Sequence, residues 1–326
     1  MRKGNALCIV ALAVLIAVGF FSPTNTAATS KKYLSLGTGN PGGTGYFMGA
    51  GFASIFNKYV PGVRVIAEST GGTDENFNLV WRKKIDLGIT SCNPLRRAAE
   101  KNTDLSHLRL LAMGHTSDHH WFVRKESPVS GIADYRGRKI SVGQPGSGTL
   151  LMSQWILDAC GVSWKDIKPA YLSFTESVTG IRDGTVDVGV LSAGYPAASL
   201  LDLSRQIPMR LIPYTPNELG AVFMKLPYMV KIIIPAKIYT GIATDTVTIG
   251  SPSYLLCRSD LNEDLGYQFI KALYEHPKER DAIHPQSKQW SPDTIFRGAD
   301  YVLQHFPFHP GVVKYLKEKG LWARKE

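Results

Sequence analysis

Past an apolar opening stretch, the chain alternates short apolar runs with clusters of glycine, serine and threonine. Tyr33-Leu34-Ser35-Leu36-Gly37 reads as a strand. It enters the loop Thr38-Gly39-Asn40-Pro41-Gly42-Gly43-Thr44, which leads to a helix over residues 46–59. The strand Val63-Arg64-Val65-Ile66-Ala67 comes next, with a second loop, Ser69-Thr70-Gly71-Gly72-Thr73. A helix over 74–83 and the strand Asp86-Leu87-Gly88-Ile89 complete the unit.

The same order then recurs. Lys139-Ile140-Ser141-Val142-Gly143 is a strand, Gln144-Pro145-Gly146-Ser147-Gly148-Thr149 a loop, and 150–160 a helix. Lys168-Pro169-Ala170-Tyr171-Leu172, a helix over 175–182 and Asp187-Val188-Gly189-Val190 follow, offset from their counterparts by about 101 to 106 residues. Alternating strands and helices predict an α/β protein, each half a mostly parallel sheet flanked by helices. Ligands in such sheets lie beyond the carboxyl ends of the strands, so two facing halves predict a cleft between them.

Further strands are expected at 108–112, 120–123, 229–233, 247–249 and 254–257, and helices at 261–274 and 311–319. The chain is expected to cross between lobes near 120–125 and to return near 235–245, giving a two-strand hinge. That divides it into one lobe of residues 29–122 with 245–326 and a second of residues 123–244.

A length of 326 residues leaves room for a core in each lobe. The start has another character. Arg2 and Lys3 precede an uncharged run from Ala6 to Phe21, and Thr26-Ala27-Ala28 supplies small residues for cleavage. This predicts a signal peptide over 1–28 and an exported, periplasmic protein. The run falls short of a comfortable bilayer span, and Cys8 stands before it, where lipid attachment is not expected. Removing 1–28 takes away two cations and no acid, so +8 remains of a net +10. The lysines are scattered without a basic block, which excludes nucleic acid as a partner. Cys92, Cys160 and Cys257 fit no zinc spacing and sit in apolar segments, so buried thiols are expected.

The candidate chemistry lies in the loops. A helix start has amide N–H groups with no internal partner and about half a positive charge from the helix dipole. Glycine lets a ligand approach that backbone, and an anion site arises without a charged side chain. Three junctions have this form: 38–44, 70–73 and 147–149; the loop Ser192-Ala193-Gly194-Tyr195-Pro196 ends a strand in the matching way. Asn76 either donates to a ligand or makes a local capping contact. Tyr46 and Tyr195 either line the cleft or belong to core or surface.

Other chemistries fit less well. Gly37-Thr38-Gly39-Asn40-Pro41-Gly42 matches a dinucleotide fingerprint, but Glu68 follows Gly37 by 31 residues against about 20 in that motif. No lysine follows the glycines as a P-loop requires. His115, Asp118, His119 and His120 are close in sequence, yet His119 and His120 would point to opposite faces of a strand. Asp74-Glu75 suits a helix dipole. No nucleophile elbow is present. The expectation is reversible binding, with no catalytic residue, no cofactor and no metal.

Four segments, in order, resemble the TAXI family of solute receptors that serve TRAP transporters. They are Leu36-Gly37-Thr38-Gly39 through Gly49; Ser69-Thr70-Gly71-Gly72-Thr73-Asp74-Glu75-Asn76; Gly146-Ser147-Gly148-Thr149; and His309-Pro310-Gly311 with Tyr315-Leu316-Lys317-Glu318-Lys319-Gly320. The resemblance implies a two-lobed type II periplasmic-binding-protein fold, a glutamate-like or dicarboxylate ligand and TRAP membrane subunits as partners of a monomeric receptor. It also implies that Thr38, Gly39, Gly43, Thr44, Gly72, Asn76, Ser147, Gly148 and Thr149 border the cleft. Where that family has two tyrosines and then proline, this chain has Tyr46-Phe47-Met48.

Overall fold

The computed structural model describes residues 31–296 and 299–322; the expected signal segment, Cys8 included, lies outside them. The first repeat forms β1 (Lys32–Gly37), α1 (Thr44–Tyr59), β2 (Val63–Glu68), α2 (Thr73–Trp81) and β3 (Leu87–Ser91). The helix α3 (Cys92–Glu100) and a long strand, β4 (Leu108–Arg124), follow. The second repeat forms β5 (Lys139–Ser141), α4 (Gly148–Ala159), β6 (Lys168–Ala170), α5 (Phe174–Arg182) and β7 (Gly189–Ser192). Then come α6 (Ala198–Gln206), β8 (Met209–Leu211), α7 (Pro216–Lys225), β9 (Val230–Ile234) and a second long strand, β10 (Thr246–Arg258). The chain finishes through α8 (Glu263–Glu275), α9 (Pro277–Ile283), α10 (Ala299–Leu303) and α11 (Pro310–Glu318).

The internal repeat is real in three dimensions. β1 pairs in parallel with both β2 and β3, so the first strand of the unit is central. β5 holds the same place: it pairs in parallel with β6 and bridges in parallel to Val188 at the entry of β7. Each unit is then extended by an antiparallel strand, β10 on β3 and β4 on β7. The sheets are therefore mixed, with a parallel trio in each half.

Two expected interruptions are absent. Residues 108–112 and 120–123 belong to one strand, as do 247–249 and 254–257. The polar residues between those apolar runs read as loop. Here they pair with one another, Gly250↔Asp118, Ser251↔Ser117 and Pro252↔Thr116, and the register slips after Pro252, whose ring supplies no N–H.

β4 and β10 join two separately packed regions. Leu108, Leu110 and Met113 of β4, with Tyr254 to Cys257 of β10, share a core with α1 and α8, including Phe52, Phe56 and Phe269. Further along β4, Trp121 packs with Ile140, Ile156 and Val222. Its neighbour Phe122 packs on the opposite face with Ile181, Leu191 and Leu200. Alternation along a strand sends adjacent side chains to opposite faces, so the second sheet is covered by α4 and α7 on one side and by α5 and α6 on the other.

Candidate functional site

The helix starts divide into two kinds. α4, α5 and α7 have side-chain caps: Ser147, Ser173 and Thr215 accept from Leu150 N, Glu176 N and Glu218 N. α1 and α2 begin at Gly43 and Gly72, which have no side chain to cap with. Gly72 has φ of 125°, a conformation that suits glycine.

These starts converge. One cavity, offering about 50 Å³ to the centre of a water molecule, is bordered by Thr38, Gly39, Asn40 and Gly43 to Tyr46 from the β1–α1 junction. Gly71 to Thr73 border it from the second junction, and Ser147 to Thr149 from the start of α4. Ser91 and Asn93 enter from the β3–α3 junction, His115 and Ser117 from β4, Ser253 from β10, and Met152, Phe174 and Ser192 from the second half. A water needs about 10–15 Å³ on this measure, so the space suits a small solute, on the order of four waters in size.

Nine of the residues expected at the site border this cavity: Thr38, Gly39, Gly43, Thr44, Tyr46, Gly72, Ser147, Gly148 and Thr149. Asn76 and Tyr195 do not. Asn76 is fully buried; its amide donates to Thr38 O at 3.1 Å and Ile89 O at 2.7 Å, and its Oδ1 accepts from the Thr70 hydroxyl at 2.7 Å. It braces the ends of β1 and β3 against each other. Tyr195 is half-buried, is followed by a cis peptide bond, and gives its carbonyl to Gln286 Nε2 at 2.8 Å.

The hydroxyls that drew notice in the sequence are largely engaged within the protein. Thr38 donates to Glu68 O at 2.8 Å, Thr44 to Gly194 O at 2.6 Å and Ser147 to Gln144 O at 2.6 Å, while Thr149 Oγ1 accepts from Ser192 N at 3.2 Å. Several such contacts stitch one half to the other. Thr44 to Gly194 is one, Gln286 to Tyr195 a second, and Glu75 N to Gly146 O at 2.8 Å a third.

Sequence reasoning missed Asn93, and it weighed His115 only as a metal ligand. Asn93 follows a strand end within Ser91-Cys92-Asn93-Pro94, a helix start with proline in its first turn; that was the available signal. Its Oδ1 accepts from Tyr228 Oη at 2.9 Å and from Ser251 Oγ at 3.3 Å. Its Nδ2 is buried with no hydrogen-bond partner among the described residues. His115 is 1% exposed, and burial pulls its pKa down to about 3. Its Nδ1 accepts from Trp290 Nε1 at 2.9 Å. An indole N–H can only donate, so the proton of this neutral ring sits on Nε2.

Among the described residues, no lysine, arginine, aspartate or glutamate borders the cavity. The nearest buried acid, Asp118, is held by burial at a pKa of about 7 and accepts from the Thr116 hydroxyl at 2.5 Å. His119 Nδ1 meets Ser192 Oγ at 2.8 Å, whereas His120 donates from Nδ1 to the Asp118 carbonyl at 2.8 Å. His120 Nε2 then accepts from Tyr239 Oη at 3.1 Å. These residues brace the crossing strands; among the described residues no cluster of His, Cys, Asp and Glu has the arrangement of a metal site. Cys92, Cys160 and Cys257 are free thiols, Cys92 and Cys257 buried and Cys160 half-buried.

A family model covers residues 36–320, from the end of the first strand to the end of the last helix. The chain belongs to the NMT1-like family. Solved structures similar to this NMT1-like protein share its fold at low identity. A Bordetella bronchiseptica protein is 14% identical with a TM-score of 0.57, covering 89% of this chain and 99% of its own. A Listeria monocytogenes protein described as an L-cystine ABC transporter is 12% identical with a TM-score of 0.51, covering 79% and 95%. A Xanthomonas citri protein bound to ATP is also 12% identical with a TM-score of 0.51, covering 88% and 99%. The α/β architecture is that of the periplasmic-binding-protein fold.

Proposed function

We propose that this chain is an extracytoplasmic solute receptor: it closes two lobes over a small carboxylate or related anion and hands it to a membrane transporter. The observation that carries this reading is the convergence of three glycine-rich helix starts, α1, α2 and α4, on one cavity between two separately packed cores. Partial positive charge from helix starts attracts an anion without a counter-ion. The lobes part where β4 and β10 pass from one core to the next, and the hinge lies there. Glycine loops on each side let the lobes meet closely, and the hydrogen bonds from Thr44, Gln286 and Glu75 hold them together. Such closure is a familiar hinge motion.

The role is binding without turnover. Besides Tyr46, the titratable side chain among the residues that border the cavity is His115, and it is neutral. The TAXI resemblance favours TRAP membrane subunits as the recipient. The name of the Listeria neighbour favours an ABC importer instead. Reconstituted uptake separates these: a TRAP partner requires an ion gradient, and an ABC partner requires ATP.

The test of the receptor reading is a melting series on ligand-stripped mature protein with small carboxylates and sulfonates. A ligand at one hundred times its Kd stabilises by about 2.7 kcal/mol, raising Tm by roughly 5 °C in a protein of this size. A flat response across a broad panel sinks the reading.

A further inference from the structure

We propose that the cavity selects a solute whose polar end accepts hydrogen bonds and carries no neighbouring ammonium group, and that Asn93 is the residue that reads it. This rests on the solute-receptor reading above. The wall is formed by the starts of α1 and α2 together with Asn93 and His115; at α2, Gly71 N donates to the Glu75 carboxylate at 2.7 Å and Gly72 N to the Thr70 hydroxyl at 3.3 Å, which leaves Asn93 as the unpartnered donor. None of the cavity-lining residues is acidic, so a solute ammonium would lose its water without gaining a carboxylate. An unpaired buried charge is far more expensive than a paired one. A free α-amino acid is therefore a poor ligand, and a carboxylate or other oxyanion without an amine is a good one. This narrows the glutamate-like expectation to amine-free acids.

Asn93 is fixed in one orientation by protein contacts on its oxygen side. Tyr228 approaches from the second half and Ser251 from a long strand, both donating to Oδ1. Asn93 borders the cavity, and its amide nitrogen is fully buried without a partner among the described residues. A buried donor of this kind is destabilising until it is satisfied, and an acceptor on the solute satisfies it. His115 supplies a second fixed donor, since Trp290 occupies its Nδ1. Tyr228 packs against both cores, so the orientation of Asn93 is set where the two regions meet. Recognition and closure are thereby coupled.

The experiment compares matched pairs by calorimetry: lactate against alanine and glutarate against glutamate, with methanesulfonate as a non-carboxylate oxyanion. The amine-free member of a pair is expected to bind about 10- to 100-fold more tightly. Asn93→Asp keeps an oxygen for Tyr228 and Ser251 and replaces only the donor, placing a like charge against the anion; its binding is expected to fall at least as far. Circular dichroism confirms that this variant is folded. Tyr228→Phe, which frees the amide to rotate, is a second, milder variant with a several-fold loss expected. Equal or tighter binding of the amino members overturns the proposal while the receptor reading stands. Unchanged affinity in both variants removes Asn93 as the reader. No binding of any probe, amino or amine-free, overturns the receptor reading and this proposal with it.

Discussion

Three histidines and an aspartate on one strand, all fully buried, make the stability of this protein depend on pH. Burial pulls the pKa of His115 to about 3, of His119 to about 3 and of His120 to about 4. Below pH 6.5 the unfolded chain takes up protons that the folded protein refuses, so these groups lose stability as pH falls. Asp118, raised to about 7, works in the other direction, losing stability as pH climbs from about 4 to 7. The histidines outnumber it. Between pH 6.5 and 4.5 the cluster should lower the unfolding free energy by roughly 2–3 kcal/mol per unit of pH. Urea unfolding at a series of pH values measures that slope, and His119→Gln should reduce it by about one proton. An unchanged slope in the variant would place the acid sensitivity elsewhere. At this scale the sequence was least legible. Glycine positions could be read, because φ and close approach demand that residue. Whether a hydroxyl faces solute or neighbour could not: Thr38, Thr44 and Ser147 hold loops together, and Asn93, unremarked, borders the cavity.

Helices and strands were read more securely than side chains because their periodicity is local. The two repeats, their order and the loops between them follow the apolar runs closely. The long strands did not, since Thr116, Ser117, Asp118 and Ser251 are polar yet paired and buried, a pattern that only the partner strand explains. Several helices, α3, α6 and α7 among them, were also unanticipated; each is short, and α7 begins at a proline. The glycines at helix starts have a further role that concerns the meeting of elements. A Cβ on Gly148 would stand 2.0 Å from Thr73 Oγ1 of α2, and one on Gly42 would stand 2.3 Å from Ser199 Oγ. Gly148→Val should therefore leave each lobe folded and weaken ligand binding about tenfold or more by obstructing closure. The control is Gly220→Ala in α7, where open space surrounds the site and the helix gains slightly. Equal affinities in the two variants would show that the α2–α4 approach is dispensable.

For the whole molecule, the decisive arrangement is that direct contacts join the two halves of the chain beside the cavity. Gln286 donates to the Tyr195 carbonyl, and His284 Nε2 lies 3.1 Å from the Pro196 carbonyl. A hydrogen bond of this sort contributes about 1 kcal/mol. Gln286→Ala should thus speed ligand release by about fivefold in stopped-flow while leaving the unfolding midpoint nearly unchanged. A slower or unaltered off-rate would mean that this seam does not hold the closed form. The fold itself was legible as repeated α/β units; the seams were not, because they join residues about ninety positions apart, with no local pattern to mark them.

Because the polypeptide leaves the first core along β4 and comes back along β10, both ends of the described chain lie at that core: Leu34 is in it, and Leu321 and Trp322 pack against it. A surface tether, a fluorescent fusion or a lipid anchor joined at either terminus would grip one jaw only. In the hinge motion proposed above the other jaw would keep its full swing, so a tethered protein would still report closure in a single-molecule measurement.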